Sequence, residues 1–134
     1  MKVVIIDGQG GKMGQMLIER VKSAKFPCDL IAIGTNSIAT AVMLKAGADA
    51  GATGENPVIA ASRDADVIVG PIGIIAADSM LGEVTPAMAV AVGQSRAKKL
   101  LLPVNLCNNI IIGTGSMPMA KLIEETVAEL AQIV

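Results

Sequence analysis

A chain of 134 residues, 52% of them apolar, is long enough to bury a core without disulfides or metals, and residues 1–134 are read as one domain. Tryptophan and tyrosine are absent, Phe26 is the sole aromatic residue and the net charge is −1, so the core must be aliphatic. The basic stripe and stacking aromatics of a nucleic-acid binder are both missing, which excludes that class.

In chain order, residues 3–6 (VVII) form a continuous β-branched run, the pattern of a strand buried on both faces. Asp7 ends it, so the run is too short for a signal peptide or a membrane span. Four glycines then fall within seven positions, from Gly8 to Gly14. Met13, Met16, Leu17, Val21 and Ala24 recur at helical spacing with Glu19, Arg20, Lys22 and Lys25 opposite, and Pro27 closes that helix. Residues 30–33 read as a second buried strand, followed by Gly34-Thr35-Asn36-Ser37. A helix spans 38–46 with Gly47 as its C′ residue.

A short third strand falls near residues 50–53, and Asn56-Pro57 reads as the N-cap and first position of a helix to about Asp64. The rival reading makes residues 58–61 the strand. Residues 66–69 are a strand that stops at Gly70-Pro71. Residues 74–81 read as a helix ended by Gly82, and Thr85-Pro86 as the cap of another running to about Ala97. Residues 99–104 are a strand and 110–112 a candidate sixth. Met119, Leu122, Ile123, Val127, Leu130 and Ala131 are the stripe of a final helix. Short strands alternating with helices predict an α/β fold: a three-layer, Rossmann-like parallel sheet of order 3-2-1-4-5.

A strand, a glycine-rich turn and a helix start make a ready anion site. A Walker A loop fails here, because Ile6 and Met13 stand where its first glycine and its Ser/Thr belong. The strict G-x-G-x-x-G fails at Met13, whereas G-x-x-G-x-x-G fits through Gly8, Gly11 and Gly14. With the wording "GQGGKMG", this resembles the nucleotide loop of dihydrodipicolinate reductases. That resemblance implies that Gly8 makes the tight turn, Gly11 is the point of closest pyrophosphate approach and Gly14 lets helix and strand pack. Those reductases carry a catalytic histidine in a second domain; this chain has no histidine, so their reaction does not transfer.

Taken whole, the sequence resembles a bacterial family of about this length known as a domain of unknown function. The matching text is "IDGQGG", "GTN", "GATGEN", "GPIGI", "GEVTP" and "LLPVNLC". The resemblance implies no activity.

In open parallel sheets, ligands bind beyond the carboxyl ends of the strands. The residues there are Gly8, Gln9, Gly10, Gly11, Lys12, Met13 and Gly14; Thr35, Asn36 and Ser37; Gly70, Pro71, Ile72 and Gly73; and Asn105. They are expected to line one small-molecule site; ordinary turn chemistry is the alternative reading. Neutral Thr35, Asn36 and Ser37 at the end of the second strand tolerate a 2′-phosphate better than a carboxylate does. This points to NADP or a related adenosine ligand, although no arginine stands beside them and Lys45 is the nearest cation downstream.

Asp7 opposes a pyrophosphate unless it accepts loop N–H bonds, holds Mg²⁺ or binds a ligand hydroxyl. Without histidine, an acid or base must be Asp, Glu, Lys or Cys. Asp78 and Glu83 flank "SMLGE", where solvated helix-end carboxylates are expected. Cys107 is either a thiol at the site or buried and inert. No spacing of metal ligands is present. Two cysteines suit a reducing, cytoplasmic setting. Residues 86–92 (PAMAVAV) are apolar all round, so that helix meets either another subunit, in a homodimer or homotetramer, or the final helix. Two functions remain: a nucleotide-binding protein, or a non-catalytic sensor or assembly module using the same rim.

Overall fold

The computed structural model describes residues 1–104 and 108–134. Strand β1 (Lys2–Asp7) runs through the middle of the sheet with Val3 and Ile5 turned to one core and Val4 and Ile6 to the other. It pairs with β2 (Asp29–Gly34) from Lys2↔Asp29 to Asp7↔Gly34, and on its other side with β4 (Val67–Pro71). Strands β3 (Ala50–Thr53) and β5 (Lys98–Leu102) form the edges of a five-stranded, all-parallel sheet of order 3-2-1-4-5.

Helices α1 (Lys12–Ala24), α2 (Ser37–Lys45) and α5 (Met119–Ile133) cover one face, through Leu17, Ile18, Met43 and Ile123. Helices α3 (Glu55–Asp64) and α4 (Pro86–Gln94), with a 3-10 helix at Ile72–Ile75, cover the other through Val58, Ile74, Met88 and Val92. Each such large aliphatic side chain contributes roughly 1.5–3 kcal/mol on burial, which is how a core with one aromatic residue holds together. Caps set the helix starts. Asn36 accepts from the Ala39 N–H at 2.8 Å and Thr85 from the Met88 N–H at 3.2 Å, with Pro86 at the first position of α4.

Several expectations are corrected. Helix α3 starts at Glu55 behind Gly54, so Asn56 and Pro57 lie inside its first turn, and residues 58–61 are helical. Residues 74–81 are not a helix: after Ile72–Ile75 the chain turns through Asp78, Met80 and Leu81 at φ 64, 54 and 56, then Gly82 at φ 86. Residues 110–112 form no strand, and Ile110 and Ile112 are 84% and 90% exposed. A β-branched run becomes a strand where an edge pairs with it, and here none does. Helix α4 packs on α3, on the face opposite α5, and leaves Val90 54% exposed. Among the described residues no helix is long and apolar enough to cross a membrane.

Candidate functional site

At the end of β1 the chain turns through Gln9 (φ 50) and Gly11 (φ 74), with the Gly11 N–H on the Gly8 carbonyl at 2.9 Å. Asp7 is 3% exposed. Its Oδ1 accepts from the Gly8 N–H and its Oδ2 from the Gly14 N–H, both at 2.8 Å. The carboxylate thus staples the loop entrance to the first turn of α1, and of its three expected roles it fills the local one. Burial pushes the Asp7 carboxyl above the usual range; the two N–H bonds pull it down and the nearby Glu83 charge adds to the rise.

The loop glycines are crowded by the protein's own atoms. A Cβ on Gly11 would lie 2.9 Å from the Ala39 Cα, in α2. One on Gly14 would strike the Met43 side chain, and one on Gly8 the Thr35 hydroxyl, with Glu83 Oε1 and Met80 Sδ each at 2.9 Å. Gly10 differs: a Cβ there meets nothing within 4 Å. The N–H groups of Gly10, Lys12 and Met13 have no protein partner among the described residues.

The centre of the rim is Glu83. Its Oε1 accepts from the Gln9 N–H at 2.8 Å, the Thr35 hydroxyl at 2.7 Å and the Asn36 amide at 2.8 Å. Asn36 also donates to the Gln9 carbonyl at 2.8 Å, and the Thr35 N–H to the Asp7 carbonyl at 2.9 Å. Burial alone would raise the Glu83 pKa, but the bonds from Gln9, Thr35 and Asn36 outweigh it and hold the carboxyl below its ordinary value. It is therefore ionised at neutral pH. The expectation that Glu83 is a solvated helix-end carboxylate is corrected. Its donors lie 74, 48 and 47 residues away in sequence, so no local spacing signals the contact.

The other rim residues are distributed unevenly. Gly70, Pro71 and Gly73 are buried, and the Gly73 carbonyl accepts from Ser79 Oγ and, at 3.0 Å, from the Ala76 N–H. The end of β4 therefore holds residues 76–84, with Ile72 half-buried beside it. The Met13 side chain is core, whereas Lys12 and Ser37 are exposed. Asn105 and Cys107 lie outside the described residues. A cavity of about 400 Å³ sits between α3 and α4, lined by Arg63 and Arg96, and another of about 420 Å³ runs between β5 and α5. Neither is at this rim. No group of three metal-binding side chains is found among the described residues.

The family model for a domain of unknown function, DUF3842, matches residues 2–134. The chain belongs to that family. No curated protein matches it. Among solved structures, a dodecameric FMN-dependent UbiX-like decarboxylase from Escherichia coli O157:H7 aligns over 98% of this chain and 76% of that chain, at 18% identity and a TM-score of 0.49. The NADP expectation is corrected by the hydrogen bonds of the second strand's end. At the rim itself, the Thr35 hydroxyl and Asn36 amide, the donors expected to face a 2′-phosphate, are bonded to the Glu83 carboxylate.

Proposed function

We propose that this protein is a small-molecule-binding Rossmann-like module without turnover of its own, whose ligand presents a phosphate to the loop at residues 8–14. One observation carries the reading: a single anionic oxygen, Glu83 Oε1, already draws three donors from the ends of β1 and β2. A rim that satisfies a carboxylate oxygen in this way has the polarity to satisfy a phosphate oxygen. The open N–H groups of Gly10, Lys12 and Met13 at the start of α1 add donors and the positive end of a helix dipole. Lys12 is exposed beside them and supplies a counter-charge. Gly8, Gly11 and Gly14 shape the loop, Gln9, Thr35 and Asn36 donate to the phosphate, and Ser37, Gly70, Pro71, Ile72 and Gly73 lie around the rim.

Absence of turnover fits the acids at hand. Asp7 is spent on two main-chain N–H groups and is not poised as a general base, and the chain has no histidine. The reading treats residues 1–134 as one domain in a reducing compartment. The exposed Val90, Ile110 and Ile112 support assembly as a homodimer or homotetramer.

Thermal unfolding with AMP, FMN, inorganic phosphate and adenosine tests it. The three phosphate compounds should stabilise the protein, by about 2.7 kcal/mol at a hundredfold excess over Kd, and adenosine should not. Gly10→Val keeps the unligated melting temperature, because its side chain enters open space, and removes the shift by covering the loop. No stabilisation by any phosphate compound, or an unchanged shift in Gly10→Val, overturns the reading.

A further inference from the structure

Glu83 reaches the loop on a segment whose backbone is held in an unfavourable shape. Asp78, Met80 and Leu81 all sit at left-handed φ, a region that L side chains adopt at a cost, and Gly82 follows at φ 86. The segment is fastened at its base. The Asp78 N–H reaches the Val84 carbonyl at 2.7 Å, the Val84 N–H reaches the Ser79 carbonyl at 3.2 Å, and Ser79 Oγ donates to the Gly73 carbonyl. Met80 is buried against the core, while Leu81 at the tip is 98% exposed. A fastened base, a buried anchor and a charged side chain aimed into the rim describe a latch.

We infer that Glu83 is an internal ligand of the glycine loop, which a phosphate monoester must displace in order to bind. This rests on the proposed function above. A carboxylate and a phosphate cannot share the Gln9 N–H, the Thr35 hydroxyl and the Asn36 amide, because both would be anions within a few ångströms in a partly desolvated site. The doubly charged phosphate is the stronger acceptor. Release of Glu83 also lets the left-handed turn relax, which offsets part of the cost of breaking its three bonds. A neutral nucleoside has nothing with which to compete. Glu83 therefore sets specificity for the phosphate group and couples its arrival to movement of the Leu81 tip.

Calorimetric titration of AMP into the wild type and Glu83→Gln tests this. The neutral amide is a weaker competitor, so Glu83→Gln should bind AMP about ten- to a hundredfold more tightly. Affinities equal within about twofold overturn the latch and leave phosphate binding standing. Absence of AMP binding in both proteins overturns phosphate binding, and the latch with it. Hydrogen exchange on the wild type is independent of the variant's folding. Saturating AMP should deprotect the Gly82 and Glu83 amides of the tip, which are bonded to the Asp78, Ser79 and Met80 carbonyls, and protection unchanged under AMP overturns displacement.

Discussion

Two glycine-rich stretches of this protein look alike in sequence and differ in physics. In residues 8–14, Gly11 combines a left-handed φ of 74 with the Ala39 backbone at 2.9 Å from where a Cβ would stand, and Gly14 is crowded by Met43 and Asp7. In the stretch before α5, Gly113 and Gly115 have φ 91 and 62 but nothing within 4 Å. The second stretch needs glycine for conformation alone; the first needs it chiefly for room. Room is informative because it identifies a neighbour, and the neighbour of Gly11 and Gly14 is α2, not a bound molecule. Gly10, crowded by nothing, is the loop glycine that faces open space.

The difference can be broken by substitution. Gly11→Ala should show the largest effect, about 3–5 kcal/mol lost, adding a left-handed penalty to overpacking against Ala39. Gly113→Ala carries the conformational penalty alone, about 1–2 kcal/mol, and Gly10→Ala should lie within about 0.5 kcal/mol of wild type. Urea midpoints at constant m rank the three. A loss in Gly113→Ala as great as in Gly11→Ala would remove room as the distinguishing cause.

Next in size is Asp7→Asn, which should cost about 1–3 kcal/mol. An amide accepts through one oxygen and turns an N–H toward the other glycine donor, leaving a buried group unsatisfied.

The smallest effects are in pH. The folded state holds the Asp7 proton more tightly than the unfolded chain does, so its contribution to stability is present at low pH. That contribution is lost as pH rises from the usual carboxylate value through the raised folded one. Glu83 runs the other way: its contribution is present above its ordinary value and lost as pH falls through the lowered folded one. Urea unfolding across pH should therefore show a shallower alkaline-going decline in Asp7→Asn and a smaller acid limb in Glu83→Gln. The remainder of the acid limb comes from Asp49 and Asp64, whose carboxyls are also held below the ordinary value. Carboxyl-carbon NMR should also find the Asp7 pKa lower in Glu83→Gln, since the Glu83 charge helps to raise it.

What the sequence discloses divides along the same line as the glycines. Strands buried on both faces leave continuous β-branched runs such as residues 3–6, and helices leave stripes, so the sheet order follows from pattern and right-handed connection. Gly82 correctly marks a left-handed stop. What it stops is a turn, because Asp78, Met80 and Leu81 adopt left-handed φ without any residue signal for it. The run at 110–112 has strand propensity and no partner, and propensity alone cannot supply one. At the rim, the Asp7 role was within reach because its donors are one and seven residues away. Glu83 was not, because its contacts exist only after β1, β2 and the residue 76–84 turn converge.

The place of β1 in the sheet also bears on how the chain comes to fold. Lys2 is tied to Asp66, 64 residues further along, and the flank of β1 facing Val67–Pro71 stays unsatisfied until that stretch has been synthesised. A ribosome-bound chain halted before β4 would present Lys2–Asp7 as an apolar, half-paired edge, the kind of surface to which holding chaperones and other nascent chains adhere. The late arrival of β4 thus makes closure of the middle of the sheet, rather than growth from one edge, the step expected to limit folding.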